Sequence, residues 1–189
     1  MEVNLNIHQD IIDRCVEGDR SAFYELYKLY SKAMFNVFLR ITGKHEEAED
    51  VLQEAFVSAF GHIKSFKGTS TFGAWLKRIV VNKAISHVNK NRLDTVDIDD
   101  HPVDDISEDV FVEPIYKVET VKQAIEKLPE GYRVVFSLYL MEGYDHKEIA
   151  EILHISESTS KSQYNRAKRK LIEIINEEVN YDNRQQRSS

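Results

Sequence analysis

Several residue types are scarce in this chain, and each scarcity excludes something. Of 189 residues one is cysteine and three are proline. A lone Cys15 rules out an internal disulfide framework and suits a reducing compartment. It lies among Ile11, Ile12 and Val16 at helical spacing, so a packed core thiol is expected rather than a nucleophile. No apolar run approaches the roughly 20 residues of a membrane span. The opening MEVNLNIHQD lacks the basic and apolar blocks of a secretion signal. A cytoplasmic protein is expected. The seven histidines (8, 45, 62, 87, 101, 146 and 154) have no metal-ligand spacing, and His45, although acids lie near it, reads as part of a solvated helix start. There is no glycine-rich phosphate loop, no nucleophile elbow and no cysteine beside a base. Catalytic residues, metals, cofactors and a small-molecule substrate are therefore not expected, and the chain does not read as an enzyme. Strand-like alternation and internal repeats are missing too.

Acid is also missing, but only locally. The net charge is −7, yet residues 93–119 hold ten acids against Lys117 alone, a net of −9. The remainder has 24 basic and 22 acidic residues, a net of +2. Residues 64–92 contain seven bases and no acid, and no acid occurs across 158–172. Two basic surfaces separated by an acidic tether are expected, and the low overall pI does not argue against nucleic acid.

The richest stretch is residues 145–171, DHKEIAEILHISESTSKSQYNRAKRKL. Asp145 with Glu148 three residues on is the reciprocal capping arrangement, and Ile149, Ala150 and Leu153 form one stripe. His154-Ile155-Ser156 makes a corner, with Ser156 as cap of the next helix. Ser160, Tyr164, Ala167, Leu171 and Ile174 then face a core, while Lys161, Ser162, Asn165, Arg166, Lys168, Arg169 and Lys170 lie opposite. A short helix, a sharp turn and a polar, basic second helix are the pattern that enters a DNA major groove. A surface hairpin with a solvated basic face is the alternative; charge this one-sided in an acidic chain favours DNA.

In chain order, residues 10–17 read as a short helix ended by Gly18. Asp19 caps a second helix striped by Phe23, Leu26, Tyr27, Tyr30, Met34, Val37, Phe38 and Ile41, closed at Thr42-Gly43. A third is expected over 45–63 with an acidic start that suits the helix dipole, and a fourth from Phe72 to about residue 91. Dense like charge and two prolines make 93–117 a flexible linker. Val118, Val121, Ile125 and Leu128 stripe the next helix, Pro129 breaks it, and residues 132–142 are apolar enough to be buried. The expected fold is all-α: a bundle over 1–92, the linker, a helix-turn-helix domain over 118–180, and a frayed, disordered tail over 181–189.

Between Lys64 and Arg78 the aromatics Phe66, Phe72 and Trp75 alternate with Lys64, Lys67, Lys77 and Arg78 around Gly68, Thr69, Ser70 and Thr71. Rings offer stacking faces to unstacked bases and cations meet phosphates, which suits single strands. Spacing alone favours a core role for Phe72 and Trp75.

Three runs together carry a resemblance: EDVLQEAF at 49–56, FKGTSTFGAWLKRI at 66–79 with Asn82 beyond, and residues 128–171. In this order they resemble the extracytoplasmic-function (ECF) sigma factors, bacterial transcription initiation factors. The resemblance implies that Asp50, Gln53, Glu54 and Phe56 dock on core RNA polymerase. It implies that Phe66, Lys67, Gly68, Thr69, Ser70, Thr71, Trp75, Lys77, Arg78 and Asn82 read and open the minus-ten element as melted single strand. It assigns duplex reading at minus thirty-five to Ser156, Glu157, Ser158, Thr159, Lys161, Ser162, Gln163, Asn165, Arg166, Lys168 and Arg169. It also implies an anti-sigma partner. The chain departs from the family pattern at His154, where glycine is usual, at Ser160, where a branched apolar residue is usual, and at Gln163, where arginine is. A left-handed corner at His154 and slightly looser packing at Ser160 are expected. The competing reading is a helix-turn-helix regulator with a sensing bundle.

Overall fold

A computed structural model describes residues 6–92 and 117–187, which are helices joined by turns and short loops, with no strand among the described residues. Most of the expected linker, residues 93–116, lies outside the described residues. The chain divides into two compact units, Met1–Asn91 and Arg92–Ser189.

In the first unit, α1 (Gln9–Glu17) buries Ile12 and Cys15, and Gly18 ends it at φ 92°, the left-handed conformation that glycine adopts without strain. Burial pushes the Cys15 thiol up to about 11, so it is an inert core group. Asp19 is extended and accepts from the Ser21 backbone N–H at 2.8 Å, starting α2 (Arg20–Thr42). Arg14 reaches from α1 to Asp19 at 2.6 Å and Glu25 at 3.1 Å. Hydrogen bonds from Ser21 and then Arg14 hold the Asp19 carboxyl down at about 2.

The third helix is shorter than expected. α3 spans Ala48–Gly61 and is followed by one 3-10 turn, Ile63–Ser65. At its start Glu47 is the N-cap but makes no side-chain cap bond, and residues 45–47 form a bend and a turn. At its end the His62 N–H is shared between Ser58 and Ala59 carbonyls, which tightens the last turn. α4 (Phe72–Arg92) supplies Phe72, Leu76, Val80, Val81, Ala84, Ile85 and Val88 to a core shared with Leu26, Phe38 and Ile41.

The second unit contains α5 (Val118–Glu126), α6 (Glu130–Phe136), α7 (His146–Leu153) and α8 (Glu157–Arg187). Ala124, Leu128, Phe136, Ala167, Leu171, Ile174 and Ile175 form its core, with Val121, Ile125, Tyr132 and Tyr164 against it. Val118, expected on this stripe, is 70% exposed. The expected burial of 132–142 holds only in part. Residues 134–138 are buried, but α6 widens into a π-helical turn over Ser137–Met141. The extra residue per turn rotates Tyr139, Leu140 and Met141 out of the core. The tail also differs from expectation: α8 is helical through Arg187, where fraying was expected from residue 181. Its Arg and Gln residues are good helix formers. Residues 188–189 lie outside the described chain.

Candidate nucleic-acid interface

The corner between α7 and α8 is built as its residues dictate. Asp145 accepts from the Glu148 N–H at 2.8 Å and Glu148 returns the bond to the Asp145 N–H at 2.9 Å, a complete capping box. His154 stands at φ 55°, ψ 43°, and its N–H bonds to the Ala150 carbonyl, so the left-handed corner forms without the glycine. Ser156 Oγ accepts from the Thr159 N–H at 3.0 Å and lies 2.8 and 2.7 Å from the Ser158 and Thr159 hydroxyls. That cap fixes the first turn of α8.

Beyond the cap, Ser158, Lys161, Asn165 and Arg169 are exposed at steps of three and four, forming one outward stripe. Glu157 is exposed beside it, and Thr159, Ser162, Gln163, Arg166 and Lys168 are half-buried flanks. The basic face is less one-sided than the sequence suggested. Glu157, just outside the acid-free run, bonds Lys161 at 2.7 Å, and Glu173 holds Lys170 at 2.9 Å. Lys168 lies over the Tyr164 ring, 5.3 Å from its centre. The inward Ser160 makes a polar tie. It is fully buried and bonds His146 Nδ1 at 2.9 Å. His146 in turn stacks on Tyr139 at 4.4 Å. Burial first, and Lys161 second, hold His146 below its ordinary pKa. Sequence reasoning missed this tie between α7 and α8. A polar residue at a core position of the stripe was its signal.

In the first unit, Lys67, Gly68, Thr69 and Thr71 of the 66–71 loop are exposed and Ser70 is half-buried. Gly68 sits at φ 69°, which a side chain would strain. Phe66 is half-buried and packs on Phe72 and Trp75, with ring centroids at 5.6 and 5.5 Å. Phe72 is fully buried and Trp75 only half, so the core reading holds for Phe72 and Trp75 stands at the boundary. Thr71 Oγ1 accepts from the Ala74 N–H at 3.2 Å, so its hydroxyl caps α4. Along α4, Ala74, Arg78 and Asn82 continue outward from Thr71, with Lys77 half-buried beside them. The loop and this face form one polar, basic surface with an aromatic edge.

The third group divides. Asp50, Gln53 and Glu54 are exposed on α3, and Glu54 meets Lys83 of α4 at 3.5 Å. Phe56, expected with them, is 2% exposed and packs against Tyr27 and Phe60 at 4.9 and 5.6 Å. It belongs to the core, because position 56 falls on the inward stripe with Leu52 and Ala59. Val57 is 72% exposed on the outward face. It was not anticipated, and an apolar residue on a polar stripe was the available signal.

A helix-turn-helix with a basic second helix in one unit, and a polar, aromatic-edged surface on the other, are the features of a nucleic-acid-binding protein of transcription. The family model described as Sigma-70 region 2 matches residues 26–93, and that described as Sigma-70, region 4 matches residues 119–171. RNA polymerase sigma-H factor of Pseudomonas aeruginosa is 31% identical over 172 residues, covering 85% of this chain and 89% of that protein. ECF RNA polymerase sigma factor SigM of Bacillus subtilis is 31% identical over 160 residues, covering 82% of this chain and 96% of its own. Among solved structures, the sigma factor RpoE of Bartonella quintana, in complex with the anti-sigma factor NepR, is similar at a TM-score of 0.54. It has 24% identity and covers 82% of this chain and 96% of its own, a likeness of fold. The chain belongs to the ECF group of the sigma-70 family, whose members act with RNA polymerase in transcription initiation. Among the described residues, no helix is long and apolar enough to cross a membrane.

Proposed function

We propose that this sigma factor divides its work among the three surfaces just described. α8 lies in the major groove of the minus-thirty-five element, with Lys161, Asn165 and Arg169 toward DNA and the Ser156 cap at the groove edge. The observation that carries this is the outward stripe of α8 behind a fully capped corner. The 66–71 loop and the Arg78–Asn82 face capture the opened minus-ten strand, with Trp75 as a stacking edge. Asp50, Gln53, Glu54 and Val57 dock on core polymerase, with the buried Phe56 supporting that helix from within. Support for this docking face comes from its shared exposure on α3, where Asp50, Gln53, Glu54 and Val57 follow one another at steps of three, one and three.

The factor works in the cytoplasm, catalyses nothing itself and needs no cofactor. An anti-sigma protein covers one or more of these surfaces; what supports this is that the Bartonella quintana fold neighbour was solved in complex with an anti-sigma factor. The test is transcription in vitro with purified core polymerase on a promoter library, with sequencing of the starts. Enriched starts with two spaced motifs are expected, and their loss with Arg169→Ala at the upstream motif alone. Failure to associate with core polymerase would refute the docking assignment.

A further inference from the structure

The first backbone N–H groups of a helix have no partner inside it, and in α4 side chains take two of them. Thr71 supplies one acceptor locally. The other comes from far away in sequence: Asn6 Oδ1 accepts from the Phe72 N–H at 2.6 Å, a buried bond across 66 residues. Asn6 is only 8% exposed, whereas the adjacent Ile7 is 93% exposed. The polar side chain, not the apolar one, is what this segment buries, and a buried amide is retained where its hydrogen bonds are made. His8 then packs edge-on against Tyr30 at 6.1 Å, and Tyr30 against Phe72 at 5.3 Å. A Cβ at Gly73 would come within 3.1 Å of the Tyr30 ring. Asn6, His8 and Tyr30 thus clamp the first turn of α4, where the 66–71 loop joins it. The loop's own side-chain bond is local, from Ser70 Oγ to the Thr71 carbonyl at 3.3 Å.

We infer that Asn6 is a positioning residue for strand capture: by capping Phe72 from outside it sets the direction in which the 66–71 loop leaves α4. The inference rests on reading that loop as the strand-capturing element. Without the cap, the start of α4 frays and the loop is presented in many directions, so opened DNA is held less well.

The experiment uses the full chain with core polymerase and compares Asn6→Ala, Asn6→Leu and Asn6→Asp on a duplex promoter and on the same promoter with a pre-opened bubble. Asp keeps the acceptor and suits a helix N-terminus; Leu keeps the bulk without it. Asn6→Ala and Asn6→Leu should bind polymerase like the parent, with initiation on duplex falling by up to about 5- to 30-fold, the factor that corresponds to the stability of a lost cap when all of it is lost from the ordered start of α4. On the bubble template, where the opening cost is already met, their loss should be clearly smaller than on duplex, and Asn6→Asp should recover the duplex activity. Unchanged duplex activity in both variants would overturn the inference. So would an equal loss on both templates, lost polymerase binding, or no recovery with Asp. Lys67→Ala with Thr69→Ala serves as the control. If that double variant shows no difference between templates, the loop reading itself fails; if it does and Asn6→Leu does not, only the role of Asn6 fails.

Discussion

Phe72 and Trp75 lie one turn apart on α4, and truncating each separates a core contribution from a strand-holding one. Phe72 is fully buried, with the Tyr30, Phe66 and Trp75 rings at 5.3, 5.6 and 5.5 Å. Cutting such a ring to Ala costs about 3–5 kcal/mol. A helical unit of this size has a total stability of only about 5–10 kcal/mol. At about 4–8 °C per kcal/mol, Phe72→Ala should lower the first unit's melting temperature by tens of degrees. Trp75 is half-buried and has ring contacts with Phe66 and Phe72. Losing roughly half the burial of a large aromatic should cost about 2 kcal/mol, so Trp75→Ala should lower the melting temperature about half as far as Phe72→Ala. It should still bind core polymerase, initiate poorly on duplex promoter, and recover on a pre-opened template where the cost of unstacking is already met. The assay is a thermal scan of the full chain by circular dichroism, paired with initiation on the two templates. Should Trp75→Ala melt as low as Phe72→Ala and lose polymerase, Trp75 is a core residue and the stacking role is wrong. Equal inactivity on both templates with polymerase binding intact would also refute it.

Three further outcomes are expected. His146 has a folded pKa below its unfolded 6.5, so its contribution to stability is complete above pH 6.5 and is lost as pH falls through the window beneath it; the melting temperature of the parent should fall more steeply below pH 6.5 than that of His146→Asn, and parallel profiles would refute this. Ser156→Ala removes the acceptor for the Thr159 N–H and should destabilise the second unit by about 1 kcal/mol, read by chemical denaturation; an unchanged midpoint would mean that the cap contributes nothing. Arg169→Ala should flatten the salt dependence of promoter binding by about one unit in log–log slope if it meets a phosphate, whereas Lys161→Ala should do less because Glu157 already engages that ammonium; equal slopes would contradict the division of the α8 face.

Residues that act through their neighbours in sequence were legible without coordinates. The Asp145–Glu148 box, the Asp19 and Ser156 caps and the Gly18 and Gly43 stops depend on groups within four residues of one another. The bundle stripes and the helix-turn-helix follow from period and capping, but the pairing of Lys161 with Glu157 and of Lys170 with Glu173 on α8 does not. Long-range packing lies outside that reach. Spacing from Leu52 and Ala59 already puts Phe56 on the inward stripe and Val57 outward, and only the partner that Phe56 meets on α2, the Tyr27 ring, comes from the tertiary structure. The π-helical turn over Ser137–Met141, with Tyr139, Leu140 and Met141 exposed, is not legible in the apolar run. Asn6 capping Phe72, Ser160 meeting His146 and Lys83 meeting Glu54 join residues separated by 66, 14 and 29 positions. No local pattern encodes those pairs, because chain proximity there is created by folding rather than by spacing.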